Sequence, residues 1–297
     1  MQLIRKSWIV FLHAIALSFE SITVEFLTRI PGISSMLVAA IGIPVAGVVL
    51  LLIMKLRSQR VTVFYSWKLL FTGSVSLAIA VSLWYDSVAR IGASKEGLLA
   101  GPLETVIVLV LAWLILNEKL KRIQVVGVIL ALLGFFATVQ SSSSNLSQLF
   151  PPITYGDLEA IFSAFAFASG VIVMADLVKK HPPSEVTGGS LLISGLVLVI
   201  IFIMSNRSST LPSSPGFLYL FLFSFLPLTA ALFYVAGLNR IGASLTSTIA
   251  SSNILFTLFI QVVLRGIGIE SNLPQDLLMA AAGGILGIFG IYLIHRE

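Results

Sequence analysis

Hydrophobic positions in this chain form long unbroken runs rather than the two-residue or 3.6-residue alternation of a half-buried strand or surface helix. Ten such runs, separated by charged or turn-forming residues, fall near 8–28, 34–56, 66–87, 94–116, 122–140, 155–178, 185–204, 216–238, 244–265 and 273–294. Each is long enough to cross a hydrocarbon core of about 30 Å as a helix. The pattern predicts an all-α polytopic membrane protein with ten transmembrane helices. The first run follows Arg5 and Lys6 as a signal peptide would. It is too long for one and lacks a small-residue cleavage site, so it is read as a span.

The arrangement of positive charge orients the spans. With the N-terminus inside, thirteen Lys and Arg fall on the inner side and five, Arg29, Arg90, Lys95, Arg207 and Arg265, on the outer. Inner loops of membrane proteins carry the excess of Lys and Arg, so both termini are expected in the cytoplasm and the protein in the cell membrane. The Ser-rich stretch 141–154, ending in Pro151–Pro152, then lies outside, as do the Asn-x-Ser triplets at Asn145 and Asn206.

The chain also repeats itself. Arg90-Ile91-Gly92-Ala93-Ser94 recurs 150 residues later as Arg240-Ile241-Gly242-Ala243-Ser244. An aromatic-rich span precedes each copy, with Trp84-Tyr85 in one and Phe233-Tyr234 in the other, and Leu133-Gly134 is echoed by Leu286-Gly287. Five identical residues at matching topological positions point to duplication. The expected units are a first five-helix repeat over 1–140, an external linker over 141–154 and a second repeat over 155–297. Five is odd, so the second unit enters the membrane from the opposite face. Inverted repeats of this kind form secondary transporters that hold substrate at the repeat interface near the midplane.

Composition narrows the function. Of 297 residues 57% are hydrophobic and 10% charged, against about 25% charged in an average soluble domain, which excludes a soluble enzyme. The net charge of +5 is explained by the loop bias, so no nucleic-acid partner is expected; the partners are a small-molecule substrate and the bilayer, for a monomer or homodimer. Without cysteine there is no disulfide, thiol catalysis or thiolate metal site, and neither metal nor cofactor is expected.

In the first half, Ala100-Gly101-Pro102-Leu103-Glu104, then Ala112-Trp113-Leu114-Ile115-Leu116-Asn117-Glu118-Lys119-Leu120, then Gly127 and Leu133-Gly134, resemble the EamA repeat of the drug/metabolite transporter superfamily. Thr105 stands where that family often has Pro, and Asn117 where it often has Gly. The second half matches loosely, with Ser252-Asn253-Ile254 in place of the acidic motif. The resemblance implies a ten-helix metabolite exporter or importer, and it makes Glu118 a loop-packing residue.

Charged groups at bilayer depth cost about 2.5 kcal/mol or more, so those present face a cavity or a partner. Glu20 in span 1 and Glu104 in span 4 are the chief candidates for binding a substrate or a coupling proton. His13 shares a helix face with Glu20. Asn253 and Ser251 in span 9 occupy the region that pseudo-symmetry relates to Glu104. Trp84 and Tyr234 are expected at the rim of a site. Pro44, Pro102 and Pro227 interrupt spans 2, 4 and 8 as candidate kinks for gating. Gly283 and Gly287 form a small-residue packing face in span 10, with Gly127 and Ala131 similar in span 5.

No Lys or Arg lies at the middle of a span, which argues against dianionic substrates. The expected function is secondary active transport of a neutral, zwitterionic or cationic metabolite, such as an amino acid or amine, by alternating access, as an exporter in which an acid carries the coupling proton. The competing readings are an intramembrane enzyme and a non-transporting scaffold or receptor. The absence of HExxH and Gly-x-Ser-x-Gly motifs disfavours the enzyme.

Overall fold

A computed structural model describes residues 2–59, 61–116, 122–141, 153–205 and 214–294. The sequence features at Asn117–Leu120, Asn145, Pro151–Pro152 and Asn206 lie outside the described residues. Among the described residues the chain is helical, without strands. The helices are α1 (Gln2–Leu27), α2 (Ser35–Leu56), α3 (Trp67–Ile91), α4 (Ala93–Leu116), α5 (Arg122–Gln140), α6 (Tyr155–Leu177), α7 (Pro183–Ser205) and α8 (Pro215–Ile241). α9 is in two pieces, Ala243–Ala250 and Asn253–Gly266, and α10 is Leu277–Ile294. Six of these are by length and composition apolar enough to cross a membrane, and shorter apolar segments lie in α5, α9 and α10. Large apolar side chains such as Leu52, Leu196, Ile200 and Phe259 point outward, as lipid-facing surfaces require.

The packing obeys the duplication. α5 lies against α10 and α2 against α7; α1 packs on α8 as α3 packs on α6, and α1 on α9 as α4 packs on α6. Exchanging the two halves reproduces this set of neighbours, as a pseudo-twofold axis between inverted five-helix repeats demands. The face that carries both chain termini is called here the terminal face, and the other the far face.

The repeated pentapeptide has a conformational reason. Gly92 and Gly242 end α3 and α8 at φ +86°, ψ 155° and φ +80°, ψ 171°, a region essentially reserved for glycine. In both copies the glycine N–H donates back to the preceding helix, to Val88 O and Leu238 O. Its carbonyl then accepts the first bond of the next helix, from the N–H of Glu96 or Thr246. Each pentapeptide is thus a one-residue turn in which the glycine's own N–H and C=O are both paired.

The small residues allow backbone to touch backbone, the main source of cohesion where lipid supplies no hydrophobic drive. A Cβ placed on Gly134 would come within 2.5 Å of Gly283 O and 2.8 Å of Gly287 Cα, and one on Gly290 within 2.4 Å of Ala131 N. The face expected to pack through Gly283 and Gly287 is therefore occupied by α5 of the same chain. Across α2 and α7, Gly47 meets the Leu192 backbone, and Gly195 meets Pro44.

Two expectations about breaks change. α2 and α4 run helical through Pro44 and Pro102. Pro44 seats against Gly195 and Pro102 against Gly287, so each ring fills a helix contact instead of interrupting a span. The interruptions lie elsewhere. α8 turns at Ser224, three residues before Pro227, whose missing N–H leaves the Phe223 carbonyl without its helical donor. α9 breaks at Ser251–Ser252 without any proline, and α3 widens to a π-helix over Phe71–Leu77. Ser252 Oγ donates to Ile249 O at 2.7 Å, the kind of side-chain bond that competes with helical pairing.

Gly134→Leu should lower thermal stability in detergent by about 3 kcal/mol or prevent folding, because the new side chain meets backbone that cannot retreat. Gly266→Ala, with nothing within 4 Å, should leave the melting temperature unchanged. Equal stability of the two variants would contradict this packing.

Candidate functional site

Between the two repeats lies a cavity of about 170 Å³ lined by α1–α4 and α6–α9; α5 and α10 take no part. A cavity of about 150 Å³ suffices for benzene, so the space suits a small organic solute. Its walls are largely apolar, with polar groups at a few places.

α4 supplies the principal face. Glu96, Gly97, Ala100, Gly101, Glu104 and Thr105 all line the cavity, the spacing of one helical side. The three small residues leave open space between two glutamates. Glu104 stands at the middle of α4, and among the described residues its carboxyl has no hydrogen-bond partner. Thr105 Oγ1 lies 3.3 Å from Ser251 Oγ and donates to Gly101 O.

Glu20 on α1 is 2% exposed and accepts a 2.5 Å hydrogen bond from Tyr85 Oη at Oε1. Glu96, 3% exposed, accepts one from Trp84 Nε1 at 3.0 Å on Oε2. The two aromatic donors are consecutive on α3, their ring centroids 5.0 Å apart. Glu20 Oε2 and Glu96 Oε1 have no hydrogen-bond partner among the described residues.

His13 also faces the cavity. Its Nδ1 is 2.8 Å from Ala230 O. A carbonyl only accepts, so Nδ1 carries the proton and the ring presents Nε2 elsewhere. The imidazole packs 4.9 Å from the Tyr234 ring, and Tyr234 Oη lies 3.2 Å from Ser247 Oγ. Ser251 lines the cavity and donates to Ser247 O at 2.9 Å. Asn253 lines it too; its backbone oxygen accepts from Ser18 Oγ at 2.9 Å, which ties the broken α9 to α1.

The geometry therefore brings Glu20, Glu104, His13, Asn253, Ser251, Trp84 and Tyr234 around one space. Trp84 and Tyr234 do not stand at a rim: Trp84 is 7% exposed and both belong to the cavity wall. They are related by the 150-residue offset of the repeat, and each meets the fourth helix of its own half, Trp84 at Glu96 and Tyr234 at Ser247. Of the prolines, Pro227 lines the cavity while Pro44 and Pro102 do not. Phe162 and Phe165 face outward at 58% and 51% exposure, and Phe167 is the aromatic of α6 that reaches the cavity.

Sequence reasoning missed Glu96 and the π-helical stretch that carries Ser76 and Leu77 to the wall. Glu96 was findable: it lies eight residues before Glu104 on the same helical side. The π-helix has no comparable signal. Ser76 sits over Gly170, where a Cβ would come within 1.9 Å of its Oγ, and donates to Ala166 O at 2.7 Å.

Glu25 behaves differently from the cavity acids. It is 1% exposed and saturated, accepting from Arg29 (2.5 Å), Ala93 N (2.9 Å), Gln261 Nε2 (2.6 Å) and Asn272 N (2.8 Å). It binds α1, the Gly92 turn, α9 and the loop before α10 into one knot at the far face. At that face Lys95 also pairs with Asp157 (2.7 Å), and Arg90 with Asp86 (2.8 Å) and Glu159 (3.1 Å). At the terminal face Asp176 pairs with Lys68 and, at 3.9 Å, with the sequence-near Lys180.

The profile of the EamA-like transporter family matches residues 6–140 and again 154–296. The chain belongs to the EamA-like transporter family. It is thereby a membrane transporter of the drug/metabolite type and an integral membrane protein. A solved crystal structure resembles this EamA-like transporter with a TM-score of 0.69 at 16% identity, covering 96% of each chain, which shows a shared fold. No curated protein sequence matches it.

Glu25→Ala leaves four donors without their acceptor and should destabilise this transporter by about 2 kcal/mol or more in thermal unfolding. Glu25→Gln, which keeps an acceptor oxygen, should fall between the two. A wild-type melting temperature for Glu25→Ala would remove Glu25 from this structural role.

Proposed function

We propose that this EamA-like transporter moves a small neutral, zwitterionic or cationic metabolite through the central cavity by alternating access, with Glu104 as the group that receives the solute's amine or a coupling proton. The observation that carries this is the unpartnered Glu104 carboxyl in a cavity whose lining holds three glutamates and neither Lys nor Arg. A dianion would meet like charge there with no compensating donor pair. An amine would meet a carboxylate in surroundings of low dielectric, where the attraction is strong.

Alternating access follows from the inverted repeat: the two halves are interchangeable in packing, so the arrangement closed at one face has a counterpart closed at the other. The Glu25 knot supports a closed far face. The orientation inferred from charge makes that face the outer one, so the cavity as seen belongs to a state that loads or releases toward the cytoplasm. Export is the direction this reading adopts, with proton exchange at Glu104 or Glu20 as the coupling step. His13, Tyr234, Ser251 and Asn253 then line the path of the solute's polar groups.

Proteoliposomes containing the full chain test the proposal. Counterflow of labelled amines and amino acids should be saturable, and sulfate or sugar phosphates should not compete. Glu104→Gln should reduce flux at least about tenfold, the scale of a lost buried charge pair, with folding verified by thermal unfolding. Flux in Glu104→Gln equal to wild type would refute the assignment.

A further inference from the structure

The cavity contains more acid than a single amine needs. Glu20 is held by Tyr85 and Glu96 by Trp84, while Glu104 has no donor among the described residues. Glu96 and Glu104 are close enough for the charge of one to act on the other, yet among the described residues no group of three acids and histidines converges as a metal ion requires. The cavity lining holds no Lys or Arg to offset this charge. His13 Nδ1 already serves Ala230 O. Between the two acidic positions the wall of α4 is Gly97, Ala100 and Gly101, so the path from Glu96 to Glu104 is open and apolar.

We infer that the cavity is built for a linear organic dication, an alkyl diamine, with one ammonium at Glu96 and the other at Glu104. The inference rests on the cation-binding reading above and specifies its substrate class. Eight residues of α4 set the Cα atoms of the two acids about 12 Å apart along the axis, with helical side chains leaning the same way. Allowing about 2.8 Å for a charge-assisted hydrogen bond at each end leaves roughly 6 Å between nitrogens, the reach of a four- or five-carbon chain. The methylenes would lie against the small residues of α4, with Phe167 and Val81 also in the lining. Glu96 Oε1, without a hydrogen-bond partner among the described residues, is the free acceptor for the first ammonium. Glu104 accepts the second. In this arrangement Trp84 is a positioning residue: from the cavity wall its Nε1–H holds the Glu96 carboxyl in place.

Binding to the purified full chain in nanodiscs separates the possibilities, using 1,4-diaminobutane, 1-aminobutane and 4-aminobutanoate as probes. The wild type should bind the diamine at least about tenfold more tightly than the monoamine, for one additional buried ion pair. The amino acid, whose second charge is reversed, should bind most weakly. Glu96→Gln should erase the preference for the diamine while monoamine binding persists, and Glu96→Asp, which keeps the charge, should retain it. Trp84→Phe should reduce the preference for the diamine. Glu104→Gln should weaken all amines. Equal affinity for diamine and monoamine in the wild type overturns the inference whatever the variants do. So does a diamine preference that survives Glu96→Gln. If the monoamine binds in a Glu104-dependent manner with no diamine preference, the transport reading stands and the dication assignment alone falls. If no amine binds and Glu104→Gln transports normally, both fall.

Discussion

Hydrocarbon offers a polar group nothing to bond to, and every feature of this protein is arranged around that fact. Backbone groups satisfy it by staying helical or by the Gly92 and Gly242 turns, where the glycine N–H bonds back to one helix and its C=O accepts from the next. Carboxyl groups satisfy it in two contrasting ways. Glu25 is enclosed by donors from four parts of the chain and is structural. Glu20 and Glu96 have one donor each, and Glu104 none among the described residues. On the reading proposed above, acids with spare acceptors receive a group that comes and goes; all three line one cavity.

The division of labour among helices has the same origin. Association in lipid depends on close contact rather than on hydrophobic burial. Glycine is therefore placed where main chains meet: Gly134 against Gly283 and Gly287, Gly290 against Ala131, and Gly47 and Gly195 across α2 and α7. α4 uses small residues differently. Gly97, Ala100 and Gly101 face the cavity, so one residue type makes contact in one helix pair and vacancy in another.

Much of this was legible from the sequence. The ten apolar runs mark the helices closely, because the bilayer imposes both length and composition. The pentapeptide at Arg90 and Arg240 revealed the duplication, and its turn geometry explains why both copies keep the glycine. Glu20 and Glu104 stood out because charge in an apolar run is expensive. The remainder was hidden for physical reasons. Glu96 sits close to a predicted span end, where acids are common, and only helical periodicity relative to Glu104 distinguishes it. Pro44 and Pro102 suggested breaks that helix packing suppressed, whereas the break at Ser251–Ser252 comes from serine side chains competing for backbone oxygens, a signal too common to read in advance. Trp84 was placed at a rim because aromatic residues favour interfaces. Its indole N–H instead found a carboxyl deep in the wall, a tertiary partner that no local pattern announces.

The segregation of α5 and α10 has a mechanical consequence. They grip one another through bare backbone, and none of their described residues lines the cavity. On the alternating-access reading, the helices that rearrange around a solute are then the other eight, with this pair left as a shared spine between the halves.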